Sequence, residues 1–157
     1  MTISNYELLD LANIYKFPNF KVLMNDEILE EPFHTKGSHY YVINLEDESE
    51  GGSHWTAIIV RNGLCLYWDS FGCVPSLQVE KFLHQSKKPY LFNNKIVQDL
   101  ESVLCGKFAL GCIIYINKQP TGDFYELGDK YTSLFNNKTK LNDKIILKLY
   151  TLYEIHF

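Results

Sequence analysis

Apolar positions along the chain fall into short runs separated by turn-forming residues. Leu8, Leu11 and Ala12 recur at helical spacing and predict a helix over Tyr6–Ile14, with Asn5 as its cap and Pro18-Asn19 as its stop. His39–Leu45 is aromatic and β-branched, which predicts a strand. Two further apolar runs, Thr56–Val60 and Leu64–Trp68, flank Arg61-Asn62-Gly63, and Asn-Gly between such runs predicts a hairpin. Ser76 is placed to cap a helix over Leu77–His84. Tyr90–Gln98 reads as another short strand. Cys105–Asn117 is apolar almost all round (Phe108, Leu110, Ile113, Ile114, Ile116) and predicts a buried central helix. Lys144–Ile155 reads as an amphipathic terminal helix. Hairpin strands and helices in separate blocks predict an α+β fold, not alternating βαβ units.

Composition narrows the picture. With 157 residues, 46% hydrophobic and 22% charged, the chain suits a single domain spanning 1–157 and not a disordered segment. Its 11 Tyr and 10 Phe supply a sizeable core. The longest apolar stretch, around Leu110–Ile116, is far short of a membrane span, so no membrane partner is expected. Met1–Asp10 lacks the basic start and apolar core of a secretory signal, so the 4 Cys are expected to be reduced thiols. Net charge is −4, split between 11 acids and 4 bases in residues 1–78 and 8 acids and 11 bases in residues 79–157. The net charge argues against wholesale nucleic-acid binding, and the uneven split reads as two solvated faces; the alternative is a basic second-half surface for a polyanion such as DNA or for another partner. The run Glu46-Asp47-Glu48-Ser49-Glu50, followed by Gly51-Gly52, reads as a surface loop. There is no internal repeat.

Three places carry candidate chemistry. Gly51-Gly52-Ser53-His54-Trp55 ends a loop and enters a strand, so His54 is anchored yet able to titrate. Asp69 lies where the second hairpin strand ends. If the strands pair about Asn62-Gly63, residues whose numbers sum to roughly 125 are opposite each other, which puts His54 near Phe71 and close to Asp69. That is the pair required for an imidazole held in one tautomer by a carboxylate. Cys105-Gly106 opens the apolar helix. A thiol there sits at the positive end of the macrodipole, which favours the thiolate, and the first-turn N–H groups are free for an oxyanion. Gly106 leaves the approach to the sulfur uncrowded. Gln98, seven positions before Cys105, is a candidate second oxyanion donor. Cys65, Cys73 and Cys112 are read as small buried hydrophobes. The pairs His34/His39 and Cys65/Cys73 lack the spacing of a zinc site.

Taken together, these residues resemble the adenovirus-type maturation proteases and the ubiquitin-like-protein proteases that share their fold. The likeness lies in Gly-Gly-x-His-Trp at Gly51–Trp55, in Trp68, Asp69, Phe71 and Gly72, and in Gln98 before the Cys-Gly-x-Phe start at Cys105, Gly106 and Phe108. It extends over roughly residues 1–117 and leaves the segment from Lys118 onward without a role. The short length, acidic balance and near-total use of Lys over Arg look most like a compact protease of a virophage or a related DNA element.

The resemblance implies an adenain-like (papain-like) cysteine protease, with a central, mostly antiparallel sheet packed on a helix that begins at the nucleophile. It implies Cys105 as nucleophile, His54 as general base and acid, Asp69 as orienting carboxylate, and Gln98 with the Cys105 N–H as oxyanion hole. Trp55 would roof a narrow channel, with Gly52, Ser53 and Gly106 also lining the substrate path. No metal or organic cofactor is implied. Substrates would be capsid or other virion precursors cut at Gly-rich sites, in the virion or the host-cell cytoplasm or virus factory. An activating peptide, as in adenoviral enzymes, is a further partner the resemblance raises. Rival readings are a ubiquitin-like-modifier deconjugating protease, more remotely an acetyltransferase of the same fold, and a non-catalytic capsid-associated binding module.

Overall fold

The computed structural model describes residues 4–45, 54–119 and 122–153. Helix α1 spans Asn5–Tyr15 and is capped by Ser4, not Asn5. Ser4 Oγ accepts from the Glu7 N–H, and the Glu7 carboxylate accepts from the Ser4 N–H. A Ser with Glu three positions on forms a reciprocal cap, which moves the helix start one residue forward of the expected one.

Strands β1 (Phe20–Met24), β2 (Ser38–Asn44), β3 (Trp55–Arg61), β4 (Leu64–Trp68) and β5 (Leu91–Phe92) form one sheet in sequential order. Only the inner pairings β2–β3 and β3–β4 are antiparallel; the edge strands β1 and β5 run parallel to their neighbours. The sheet is therefore mixed, which corrects the expectation of a mostly antiparallel one. β1 escapes the sequence pattern because its burial does not alternate cleanly.

The hairpin follows the pairing arithmetic. Ala57 faces Trp68, Ile58 faces Tyr67 and Ile59 faces Leu66. Asn62 and Gly63 have φ of 50° and 79°, the left-handed pair that matches a two-residue turn to the twist of its strands. Leu45 N–H donates to His54 O at 2.9 Å, so the β2–β3 ladder runs right up to His54. Of the expected Tyr90–Gln98 strand, only Leu91–Phe92 pairs; beyond it the Asn93 side chain bonds Asp69, and the Val97 and Gln98 N–H groups bond Ser70 O instead.

Helix α2 (Leu77–His84) begins at the Ser76 cap as expected. Helix α3 spans Cys105–Asn117, and nearly all of it is buried. Helices α4 (Phe124–Thr132) and α5 (Asn142–Leu152) complete the fold. α5 begins two residues before the expected start; Ile155 lies outside the described residues. Apolar packing covers both sheet faces. One cluster joins α3, α4 and α5 to Val42, Ala57, Ile59, Leu66 and Trp68; the other joins Ile58, Val60 and Tyr67 to Val79, Phe82 and Leu83.

The segment from Lys118 onward has a structural role. The fully buried Asn142 donates to Val97 O at 2.7 Å and Asn136 O at 2.8 Å, and its Oδ1 accepts from Asn136 N at 2.7 Å. Thr139 Oγ1 donates to Asp99 Oδ1 at 2.9 Å, and Ser102 Oγ donates to Asp143 Oδ1 at 2.6 Å. These bonds hold the loop that carries Gln98. Asn142→Ala strips three backbone groups of partners and is expected to destabilise the fold by about 3 kcal/mol. Urea unfolding would show this as a lower midpoint with an unchanged slope.

Candidate active site

The end of the β3–β4 hairpin and the start of α3 converge. His54 Nε2 lies 2.7 Å from Asp69 Oδ1, where the ring N–H donates to the carboxylate. His54 also hydrogen-bonds the Cys105 side chain. With Nε2 on Asp69, Nδ1 is the nitrogen left for the sulfur. The ring of Phe71 packs against the His54 ring at a centroid distance of 4.9 Å. Cys105, His54 and Asp69 thus lie together, although residues 54 and 105 are far apart along the chain.

Local chemistry makes Asp69 rigid. The residue is 1% exposed. Its Oδ1 also accepts from Phe71 N at 2.8 Å, and its carbonyl accepts from Gly72 N at 2.9 Å, closing a tight turn. Gly72 sits at φ +67°, and a Cβ there would come within 2.9 Å of the backbone of Asn94 and Lys95. Only glycine gives both the turn and that close approach.

Sequence reasoning missed Asn93. Its side-chain amide acts as a substitute strand for Asp69: Oδ1 accepts from Asp69 N at 2.9 Å and Nδ2 donates to Asp69 O at 2.6 Å. Nδ2 also reaches Lys95 O at 3.3 Å. The available signal was an Asn immediately after the edge strand, too common to single out.

Gln98 is brought beside this turn. Its backbone N–H donates to Ser70 O at 3.1 Å, its Oε1 accepts from Ser70 Oγ at 2.5 Å, and its Nε2 donates to Ser102 O at 3.0 Å. Ser102 lies three residues before Cys105. Gly106 is buried in the first turn of α3. Trp55 is 4% exposed and belongs to the same apolar cluster as Leu104 and Cys105. Gly51, Gly52 and Ser53 lie outside the described residues. A cavity of about 790 Å³ opens next to the site; Phe71 and Gln98 line it together with Ile96, Leu100, Thr139 and Lys140.

Electrostatics mark the histidine and three of the thiols. Burial opposes a charged His54 ring, but hydrogen bonds to Asp69 and Cys105 and their charges outweigh it, raising its pKa from 6.5 to about 9. The ring is therefore protonated at neutral pH. Burial pushes Cys65 up to about 12 and Cys112 higher still, so both are inert. Cys73 corrects the expectation of a buried hydrophobe: it is exposed, just past the Gly72 turn, and partial burial and Asp69 raise its pKa. Among the described residues no three His, Cys, Asp or Glu side chains are grouped as a metal site requires, and no helix is long and apolar enough to cross a membrane.

Asp69→Asn keeps an oxygen for His54 and Phe71 but removes the charge. The His54 contribution to stability is fully present below pH 6.5 and is lost as pH rises toward about 9. In Asp69→Asn that loss is expected to move to lower pH, together with the alkaline limb of kcat/KM. Chemical unfolding and peptide-cleavage profiles between pH 6 and 10 would check both.

The fold is similar to that of solved protease structures. The selenomethionine form of ASFV pS273R protease superimposes with a TM-score of 0.60 and 17% identity, covering 96% of this chain and 66% of that one. Another crystal structure of ASFV pS273R protease gives 0.56 and 19% over the same shares. The chain thus spans just under two-thirds of the length of that protease. AvrA delL154 with IP6 and CoA aligns at a TM-score of 0.45 and 19% identity, covering 90% of this chain and 53% of that one. No protein-family model and no curated protein matches the sequence.

Proposed function

We propose that the chain is a cysteine endopeptidase with Cys105 as nucleophile, His54 as base and acid, and Asp69 as the carboxylate that orients the ring. The observation that carries this is the His54 imidazole bonded on one side to Asp69 and on the other to Cys105. A ring held protonated at neutral pH is the counter-ion that a thiolate needs.

In the reaction, sulfur attacks the scissile carbonyl carbon and the carbonyl electrons move to oxygen. His54 gives its proton to the leaving amine as the C–N bond breaks, leaving a thioester. Water then loses a proton to His54 and attacks the thioester, and the thiolate departs. The Cys105 N–H and the second Nε2 hydrogen of Gln98 would hold the oxyanion. Trp55, packed in the same cluster as the sulfur, would bound a narrow channel with Gly106, admitting Gly-rich sites.

Gln98→Ala is expected to lower kcat by about 10²–10³-fold with little change in KM. It also leaves the buried Ser70 hydroxyl without its acceptor, at about 1–3 kcal/mol of stability. Steady-state kinetics and a melting curve would read the two effects separately.

The likeness to a viral protease and the motifs around residues 51–55, 68–72 and 105–108 support an adenovirus-type enzyme of a virophage or related DNA element, cutting capsid or other virion precursors in the virion or virus factory. Incubating the purified protein with the element's major capsid precursor, then mass-mapping the products, tests this. Cuts after small residues, absent in Cys105→Ala, are expected. An intact precursor alongside cleavage of a ubiquitin-like fusion would replace the maturation role with deconjugation.

A further inference from the structure

The amide of Gln98 has two ends of nearly equal shape and opposite hydrogen-bonding character. A half-turn of that amide would replace an oxyanion donor with an acceptor. Two neighbours hold the amide. Ser102 O, 3.0 Å from Nε2, is a carbonyl and can only accept. Ser70 Oγ lies 2.5 Å from Oε1 and donates to it; a hydroxyl could also accept, so Ser70 holds the amide in place while Ser102 O decides which end faces which way. The flipped amide would set Oε1 against Ser102 O, two acceptors face to face. Both Ser70 and Gln98 are 1% exposed, so bulk water has little access to replace either partner. The register is also fixed, because Ser70 O accepts from Val97 N at 2.9 Å and from Gln98 N at 3.1 Å.

We propose that Ser70 is a positioning residue for the oxyanion hole: Ser102 O selects the orientation of the Gln98 amide, and the Ser70 hydroxyl, donating to Oε1, pins the amide in place so that Nε2 is presented to the acyl oxygen. This rests on the peptidase reading of the same site. Oε1 is then engaged by Ser70, one Nε2 hydrogen by Ser102, and the second Nε2 hydrogen remains for the substrate. The dipeptide Asp69-Ser70 consequently serves both halves of the machinery. The Asp69 side chain aims the base, and the Ser70 side chain aims the oxyanion donor.

A peptide aldehyde ending in glycinal separates this role from general damage. Addition of the Cys105 sulfur forms an S–C bond, opens the C=O π bond and places charge on an oxygen that the hole must hold. Iodoacetamide also modifies the sulfur, but it expels iodide and forms no oxyanion. In Ser70→Ala, aldehyde affinity is expected to fall about 10- to 100-fold, while the rate of iodoacetamide alkylation at Cys105 stays unchanged. The Ser70→Ala/Gln98→Ala double variant should bind the aldehyde no more weakly than Gln98→Ala alone. Should Ser70→Ala not fold, Ser70→Thr keeps the hydroxyl and should retain aldehyde affinity. Unchanged aldehyde affinity in Ser70→Ala, alkylation that falls in step with it, multiplying losses in the double variant, or a Thr variant as weak as Gln98→Ala would each overturn the role of Ser70. A wild-type Cys105 that neither reagent modifies would overturn the peptidase reading itself, and the Ser70 role with it.

Discussion

Replacing Cys105 by alanine is expected to reduce peptide-bond hydrolysis by on the order of 10⁶-fold while leaving the protein folded. The reason is chemical. Of the four cysteines only Cys105 is paired with a histidine. Cys65 and Cys112 are buried with strongly raised pKa values, and Cys73 lacks a histidine partner among its influences. The structural effect should be small, because a buried sulfur is exchanged for a hydrogen within a packed cluster, at about 1 kcal/mol. Cleavage assays set beside circular dichroism would show activity gone and the melting curve nearly unmoved. Retained turnover would mean that the sulfur is not the nucleophile.

Replacing His54 by alanine is expected to remove activity almost as completely, but with a different structural signature. The sulfur loses both its proton acceptor and its counter-ion. Asp69, at 1% exposure, keeps the Phe71 N–H but loses the imidazole, so a buried carboxylate is left short of one donor. A loss of about 1–3 kcal/mol follows. The stability of this variant should also no longer fall as pH rises toward about 9, because the titrating ring is gone. A His54→Ala melting temperature no lower than that of the wild type would contradict the Asp69–His54 pairing.

Much of the site was legible because it hangs on one hairpin. Asn62-Gly63 sets the turn, the turn sets the register, and the register puts His54 beside Phe71 and Asp69. Cys105 was legible as a thiol opening an apolar run. What the sequence hid is what depends on tertiary bonding. The Asn93 amide clamps Asp69, and Ser70 meets Gln98, through contacts between segments 24 to 28 positions apart that no local pattern marks. The edge strand β1 was hidden because its partner β2 lies parallel and distant, without a hairpin to announce it. α4 carried a signal that went unread: Asp123 caps it, and Phe124, Leu127 and Tyr131 follow at helical spacing. The expected strand over Tyr90–Gln98 failed after Phe92 because bonding to the 69–70 turn competes with the sheet.

Exposure and activation point to different cysteines, which makes thiol reactivity decisive. Cys73 is exposed, whereas Cys105 is 3% exposed but bonded to His54. The most direct measurement is the rate of iodoacetamide labelling of each cysteine near neutral pH, resolved by peptide mass mapping, in the wild type and in His54→Ala. A working site requires that Cys105 react first and slow sharply when His54 is removed. If Cys73 reacts first and Cys105 stays silent in both proteins, residues 54, 69 and 105 form no catalytic centre.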